Sequence, residues 1–308
     1  MIRTKTDGIS LSLIASFCGA TVPIFSKLVL EYFTPQVSLF LRMVFSFVLI
    51  SILLAVFIKP KIEIDKHTLR IALFGALNFV FLMFGIKYIP AVLAPIFYSL
   101  VPIEVTVFSF ILFREKISVT KLVGIVVGYF GALVVLYPTF SGANTSDVEP
   151  LGVVLVLLGS CSVALFSLLI QRSNSQYSPY NLSFQAITLA FIFSIPMLLI
   201  QSSKVETLKG FDWKVIWLVV GIAVIGTIGQ YIIFQNAIAK IKASANVIFF
   251  YFQPIFVITL SLIFLDENIG IYYFIGLVFV LIGSSLNIGV HAKLRELLAD
   301  RKTIRSLE

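Results

Sequence analysis

A single carboxylate sits where almost everything around it would dissolve in lipid: Glu104, in the run LVPIEVTVFSFILFREKIS at residues 100–118. It lies thirteen residues beyond Ala91, where the apolar run begins. On a helix rising 1.5 Å per residue that is about 20 Å of depth, too far to reach either surface easily. An acid so placed costs at least about 3 kcal/mol on insertion scales. Three chemistries can offset that cost: proton carriage, a counter-ion for a substrate amine, or a structural hydrogen bond to a neighbouring helix.

A second run, FQPIFVITLSLIFLDENIG at residues 252–270, aligns with the first at an offset of 152, without a gap and with seven of nineteen positions identical. Pro102 meets Pro254, Ser109 meets Ser261 and Glu115 meets Glu267, and beyond them Gly124 meets Gly276 and Gly131 meets Gly283. Positions 94, 97, 101 and 104 share one helix face by their i, i+3, i+7, i+10 spacing. Their counterparts are Asn246, Phe249, Gln253 and Phe256. Read across both copies, that face collects Glu104, Asn246 and Gln253, which lipid would penalise, so it is expected to point into the bundle. Tyr98 and Tyr251 flank it. Asn78 and Gln230, matched at the same offset, put one more amide in each copy, open to a substrate's polar groups or to interhelical bonding. These seven residues are the candidate substrate-binding set. Pro102 and Pro254 each remove a backbone donor, and are expected to kink their helices and serve as hinges.

Other charges read more plainly. Glu115 and Glu267 stand at the ends of their runs and are expected to cap the short turns that follow. Arg42 lies about 10 Å along a helix from Pro35, within reach of the surface if its stem snorkels outward; a pairing with Glu104 stays open. Lys27 and Glu31, at i and i+4, read as an interfacial pair.

The elements that carry these residues follow from composition. Of 308 residues, 59% are hydrophobic and 12% charged, with a mean hydropathy of +1.05. A soluble surface needs roughly a quarter charged residues, so this chain is expected to meet the lipid bilayer over most of its outside. At about 20 apolar residues per crossing, ten spans are legible: 9–30, 35–57, 68–87, 91–113, 118–137, 151–171, 180–200, 213–237, 243–265 and 270–290. The fold class is therefore an all-α polytopic membrane protein with ten transmembrane helices. The first run follows Arg3 and Lys5 but lacks an A-x-A site, so it reads as a retained span rather than a signal peptide.

With the N-terminus in the cytoplasm, seventeen Lys and Arg fall on the inside and four on the outside, so both termini are expected to be cytoplasmic and the protein to lie in the cell membrane. The net charge of +8 is spread over short loops and the tail, which argues against a nucleic-acid partner. Cys18 and Cys161 both lie in apolar runs, so neither a disulfide framework nor a metal site is expected.

Before the second span ends the repeat offset is 144, pairing Ser16 with Ser160 and Pro35 with Pro179. Each copy thus holds five spans, and an odd number forces the copies into opposite orientation, an arrangement common in carriers with a midplane site. The domains are residues 9–140, residues 150–290 and a basic cytoplasmic tail at 291–308.

The repeated Pro, the Glu thirteen residues on and the Gly nine and sixteen after that resemble the EamA module of the drug/metabolite transporter superfamily. Arg42 matches the arginine common early in that family's second helix, while Cys18-Gly19 stands where the family often has Trp-Gly. The resemblance implies two inverted five-helix repeats, alternating access, metabolite export or uptake, and a central cavity lined largely by spans one, three, four, six, eight and nine.

The function expected is therefore secondary active transport of a small metabolite, amino-acid-like by the resemblance, with protons as a coupling partner. No cofactor is expected, and the protein is read as a monomer. An enzyme is not expected: His67 and His291 sit at membrane edges, no Asp lies within a span, and neither H-E-x-x-H nor a phosphate loop occurs. A channel or receptor-like bundle is the alternative.

Overall fold

Backbone groups in hydrocarbon have no water to bond, so each must be satisfied within its own element. The computed structural model meets this demand with helices alone. It describes residues 2–58, 62–140, 148–173, 177–201, 213–233, 236, 251–265, 267 and 269–288, among which there is no strand. The helices are α1 (Ile2–Leu30), α2 (Pro35–Leu53, prolonged by a π-helical turn at Leu54–Ile58), α3 (Lys66–Ile86), α4 (Leu93–Tyr98), α5 (Val101–Phe113) and α6 (Val119–Phe140). They continue as α7 (Pro150–Arg172), α8 (Pro179–Gln201), α9 (Trp213–Gly221, running into a π-helical stretch at Ile222–Gly229), α10 (Gln253–Phe264) and α11 (Ile271–Ile288).

Seven helices among the described residues are long and apolar enough to cross a membrane, and three shorter apolar ones are Val101–Phe113, Gln253–Phe264 and Ile271–Asn287. The expected fourth span is not one helix. It breaks into α4 and α5 at Ser99 and Leu100, because Pro102 in the first turn of α5 has no N–H to carry the ladder through. The backbone there tightens instead: Leu100 N–H donates to Phe97 O at 2.9 Å and Ile103 N–H to Leu100 O at 2.8 Å. The freed Ser99 carbonyl accepts from the Ser284 hydroxyl of α11. Pro254 occupies the same place in the first turn of α10, but the first half of that expected span, with Asn246, lies outside the described residues, as does the tail from 289 on.

Side chains on α6 and α11 leave room for close contact. A Cβ at Gly124 would fall 2.6 Å from Gly283 O, and one at Gly131 would fall 2.7 Å from Gly276 O. Rising numbers on one helix meet falling numbers on the other, so the pair is antiparallel. Lipid supplies no hydrophobic drive between helices, and backbone proximity of this kind is what holds them.

Contacts gather at two ends of the bundle. At one end Lys27 Nζ donates to Ile86 O, the last carbonyl of α3, at 3.2 Å and to Ile89 O just beyond it at 2.9 Å, a helix C-terminus that favours a cation. At the same end Glu267 accepts from the backbone N–H groups of Ala91 (2.6 Å) and Val92 (3.3 Å) and from the Ser261 hydroxyl (2.7 Å). At the other end Asp65 caps α3 through Thr68 N–H (2.7 Å) and accepts from Tyr177 Oη (3.0 Å). There Glu63 O accepts from Asn181 and Gln185, and Arg172 pairs with Glu115. Among the described residues each of the two matched glutamates reaches across to the other half of the chain, Glu267 to Ala91 and Val92 and Glu115 to Arg172, where capping of the turns that follow was expected.

Candidate functional site

Glu104 lies in the first turn of α5, just past the break, and is 2% exposed. Its Oε1 is 2.6 Å from Ser160 Oγ on α7, and Cys161 stands on the same carboxylate. Ser160 Oγ is also 2.9 Å from Leu157 O. One hydroxyl proton thus faces two acceptors, which a protonated Glu104 would satisfy by donating to Ser160 while Ser160 donates to Leu157. Oε2 is buried with no hydrogen-bond partner among the described residues.

A second buried charge also lies within electrostatic reach of Tyr98. Arg42 is also 2% exposed and does not snorkel outward: it turns into the bundle, where its Nε donates to Thr227 Oγ1 at 3.1 Å and its guanidinium lies 5.2 Å from the Phe79 ring centroid. Thr227 belongs to the π-helical stretch of α9, a form that widens the turn and often marks functional positions. Arg42 and Glu104 form no ion pair, which closes the question the sequence left open. Tyr98 is within electrostatic reach of both.

Amides complete the layer. Tyr98 Oη donates to Asn78 Oδ1, and Tyr231 lies against Asn78 as well. Gln230 and Gln253 meet at Gly19, where a Cβ would fall 2.6 Å from one Nε2 and 2.8 Å from the other. Gly159 makes similar room on α7 for the Tyr98 hydroxyl, 2.7 Å from where its Cβ would stand. The bareness of α1 at Gly19 is thus what admits both amides.

Of the seven expected site residues, Asn78 and Tyr98 are bonded to one another, Gln230 and Gln253 share one niche, and Glu104 lies within electrostatic reach of Tyr98. Tyr251 stands apart, beside Ser284 and Ser285 of α11. Asn246 lies outside the described residues. Sequence reasoning missed Arg42, Ser160, Thr227 and Tyr231 as members of this layer. The match of Ser160 with Ser16, and the spacing of Thr227, Gln230 and Tyr231 at i, i+3 and i+4, were the available signals.

The sequence profile of the EamA-like transporter family matches residues 6–137 and again 150–289. This chain is a member of that family. A relative in Archaeoglobus fulgidus, named an uncharacterized transporter, is 25% identical over 276 residues, covering 89% of this chain and 96% of its own. The Bacillus subtilis protein YetK, also named an uncharacterized transporter, is 25% identical over 285 residues, with 89% of this chain and 84% of the relative aligned. A solved crystal structure superposes with a TM-score of 0.59 at 16% identity, over 90% of this chain and 95% of the other, a likeness of fold alone. As an EamA-like transporter whose described helices are this apolar, the protein is an integral membrane protein. The two matches of the profile meet between α6 and α7, and the polar layer takes residues from both: Glu104, Arg42, Asn78 and Tyr98 from the first, Ser160, Thr227, Gln230, Tyr231 and Gln253 from the second.

Proposed function

We propose that this EamA-like transporter is a secondary active carrier of a small polar metabolite, built from two inverted five-span repeats in the cell membrane with both termini cytoplasmic. The observation that carries this reading is a set of contacts that recur when the repeat offsets are applied. Gly124 against Gly283 becomes Gly276 against Gly131, and both pairs touch. Arg42 against Thr227 becomes Ala186 against Gly75, whose Cβ positions lie 2.8 Å apart. Phe79 becomes Tyr231, and those two rings are themselves in contact at 5.7 Å. Side chains that meet their own counterparts belong on a two-fold axis, and an axis in the membrane plane relates an inward-facing state to an outward-facing one.

In this reading Glu104, Asn78, Tyr98, Gln230 and Gln253 line the substrate path. Glu104 takes and releases a proton, because its bonding to Ser160 accommodates both forms and its unbonded Oε2 can meet a substrate amine. The break before Pro102 lets α5 swing independently of α4, and Pro254 holds the matching position in α10. Glu267 at one end and Glu115 with Arg172 at the other are the ties that open in turn. The substrate class leans to amino-acid-like compounds, which could present polar groups to both the acid and the amides.

The test is uptake into proteoliposomes containing the purified protein, against a metabolite panel at two pH values. A carrier gives saturable flux and exchange that a pH gradient drives. Flux that stays linear in concentration, or steady single-channel currents, would replace the carrier with a channel.

A further inference from the structure

Among the described residues the guanidinium of Arg42 meets no anion. Its Nε is bonded to Thr227 and its face covers Phe79, but Nη1 is enclosed with no acceptor. An arginine keeps its charge wherever it is placed, and a buried charge with no counter-charge is strongly destabilising unless something supplies one. The chain offers little. Glu104 is the only acid in the ten expected spans, and it is bonded to Ser160 instead. Residues 234–250, which join α9 to α10, contain no Asp or Glu. The counterpart position in the other half is Ala186, so this charge was placed in one copy only.

We propose that Arg42 is the receptor for an oxyanion, a carboxylate or a phosphoryl group, borne by the transported molecule; this rests on the carrier reading. The guanidinium fork matches either group with two parallel N–H donors. Tyr98 and Tyr231 supply further polar atoms near it, both held by Asn78, and Phe79 covers the guanidinium face. Thr227 fixes the orientation by holding Nε, which leaves the two Nη groups to form the fork. Carboxylate and phosphoryl ligands share this chemistry, and the test separates them.

The test uses the full-length protein in lipid nanodiscs, with its thermal unfolding midpoint followed in sodium chloride, acetate and phosphate at equal ionic strength. The receptor requires a saturable rise of several degrees over chloride at millimolar anion, lost in Arg42→Gln and smaller in Arg42→Lys, which keeps the charge without the fork. A rise with acetate alone assigns a carboxylate substrate, and with phosphate alone a phosphoryl one. Equal midpoints in all three salts overturn the proposal, as does a rise that survives in Arg42→Gln, since that is general salting-out. Should Arg42→Gln fail to fold, Thr227→Val serves: an unchanged half-saturating concentration overturns the role of the buried fork, and an increase of several-fold supports it. Flux does not enter this readout. Saturable flux without the anion response leaves the carrier and removes the receptor, and the response without flux does the reverse.

Discussion

Two junctions of this protein correspond under the repeat offsets and differ in almost every property that matters. Where α5 meets α7, Glu104 touches Ser160 and Cys161. Where α10 meets α1, the equivalent residues are Phe256 and Phe17, whose rings pack edge to face at 5.6 Å and 85°. Ser16, the partner of Ser160, donates to Ser12 O in its own helix. The same contrast separates Arg42 and Thr227 from Ala186 and Gly75. Geometry was duplicated; charge was not. On the carrier reading, one acid and one base give the proposed site a defined polarity, so that a substrate need be read in one orientation only while the proposed symmetric frame supplies the two states.

The comparison breaks first at its acid. Glu104→Gln is expected to lower pH-driven uptake about 100-fold or more, the scale of losing a proton-transfer group, and to flatten its pH profile, with unchanged expression and melting behaviour. Wild-type flux with a wild-type pH profile would make Glu104 structural. Next comes the frame: Gly283→Val forces a side chain onto Gly124 O, 2.5 Å from even its Cβ, and should cost about 3 kcal/mol of stability, read as a large drop in melting temperature. Gln253→Leu or Gln230→Leu should weaken substrate affinity about tenfold each, as expected for one hydrogen bond lost at a buried partner. On the aromatic side Phe256→Leu should leave flux within about twofold and cost about 1 kcal/mol, the worth of an edge-to-face pair. A large loss of flux there would erase the contrast.

The smallest effect lies in the loop before α3. The backbone N–H of Thr68, and after it the Tyr177 hydroxyl, hold the Asp65 carboxyl below its ordinary range, and Asp65 raises the Tyr177 phenol in turn. A carboxyl whose folded pKa is depressed adds stability that is present above its unfolded pKa and disappears as pH falls through the folded one. Melting temperature should therefore decline on acidification toward pH 3, with a shallower slope in Asp65→Asn. Identical slopes would mean the cap is not coupled to folding.

The sequence makes some of this legible because certain residues mean one thing in lipid. An acid at depth must turn inward, and Glu104 does. Glycines matched across two copies must meet backbone, and Gly124, Gly131, Gly276 and Gly283 do. Pro102 and Pro254 mark places where a helix cannot run on, though only packing decides between a kink and the break at Ser99 and Leu100. Arg42 is harder, since its long stem could reach the surface or the interior from the same position, and which one follows depends on the angle of α2. Ser160 and Thr227 carry no signal of their own, for a hydroxyl in an apolar helix ordinarily bonds the carbonyl one turn back.

The contact between Phe79 and Tyr231 has a further consequence. On the proposed axis, these rings are a fulcrum: the rocking of one half against the other leaves them in place. A change of volume there should alter how fast the protein turns over without tilting it toward either face of the membrane.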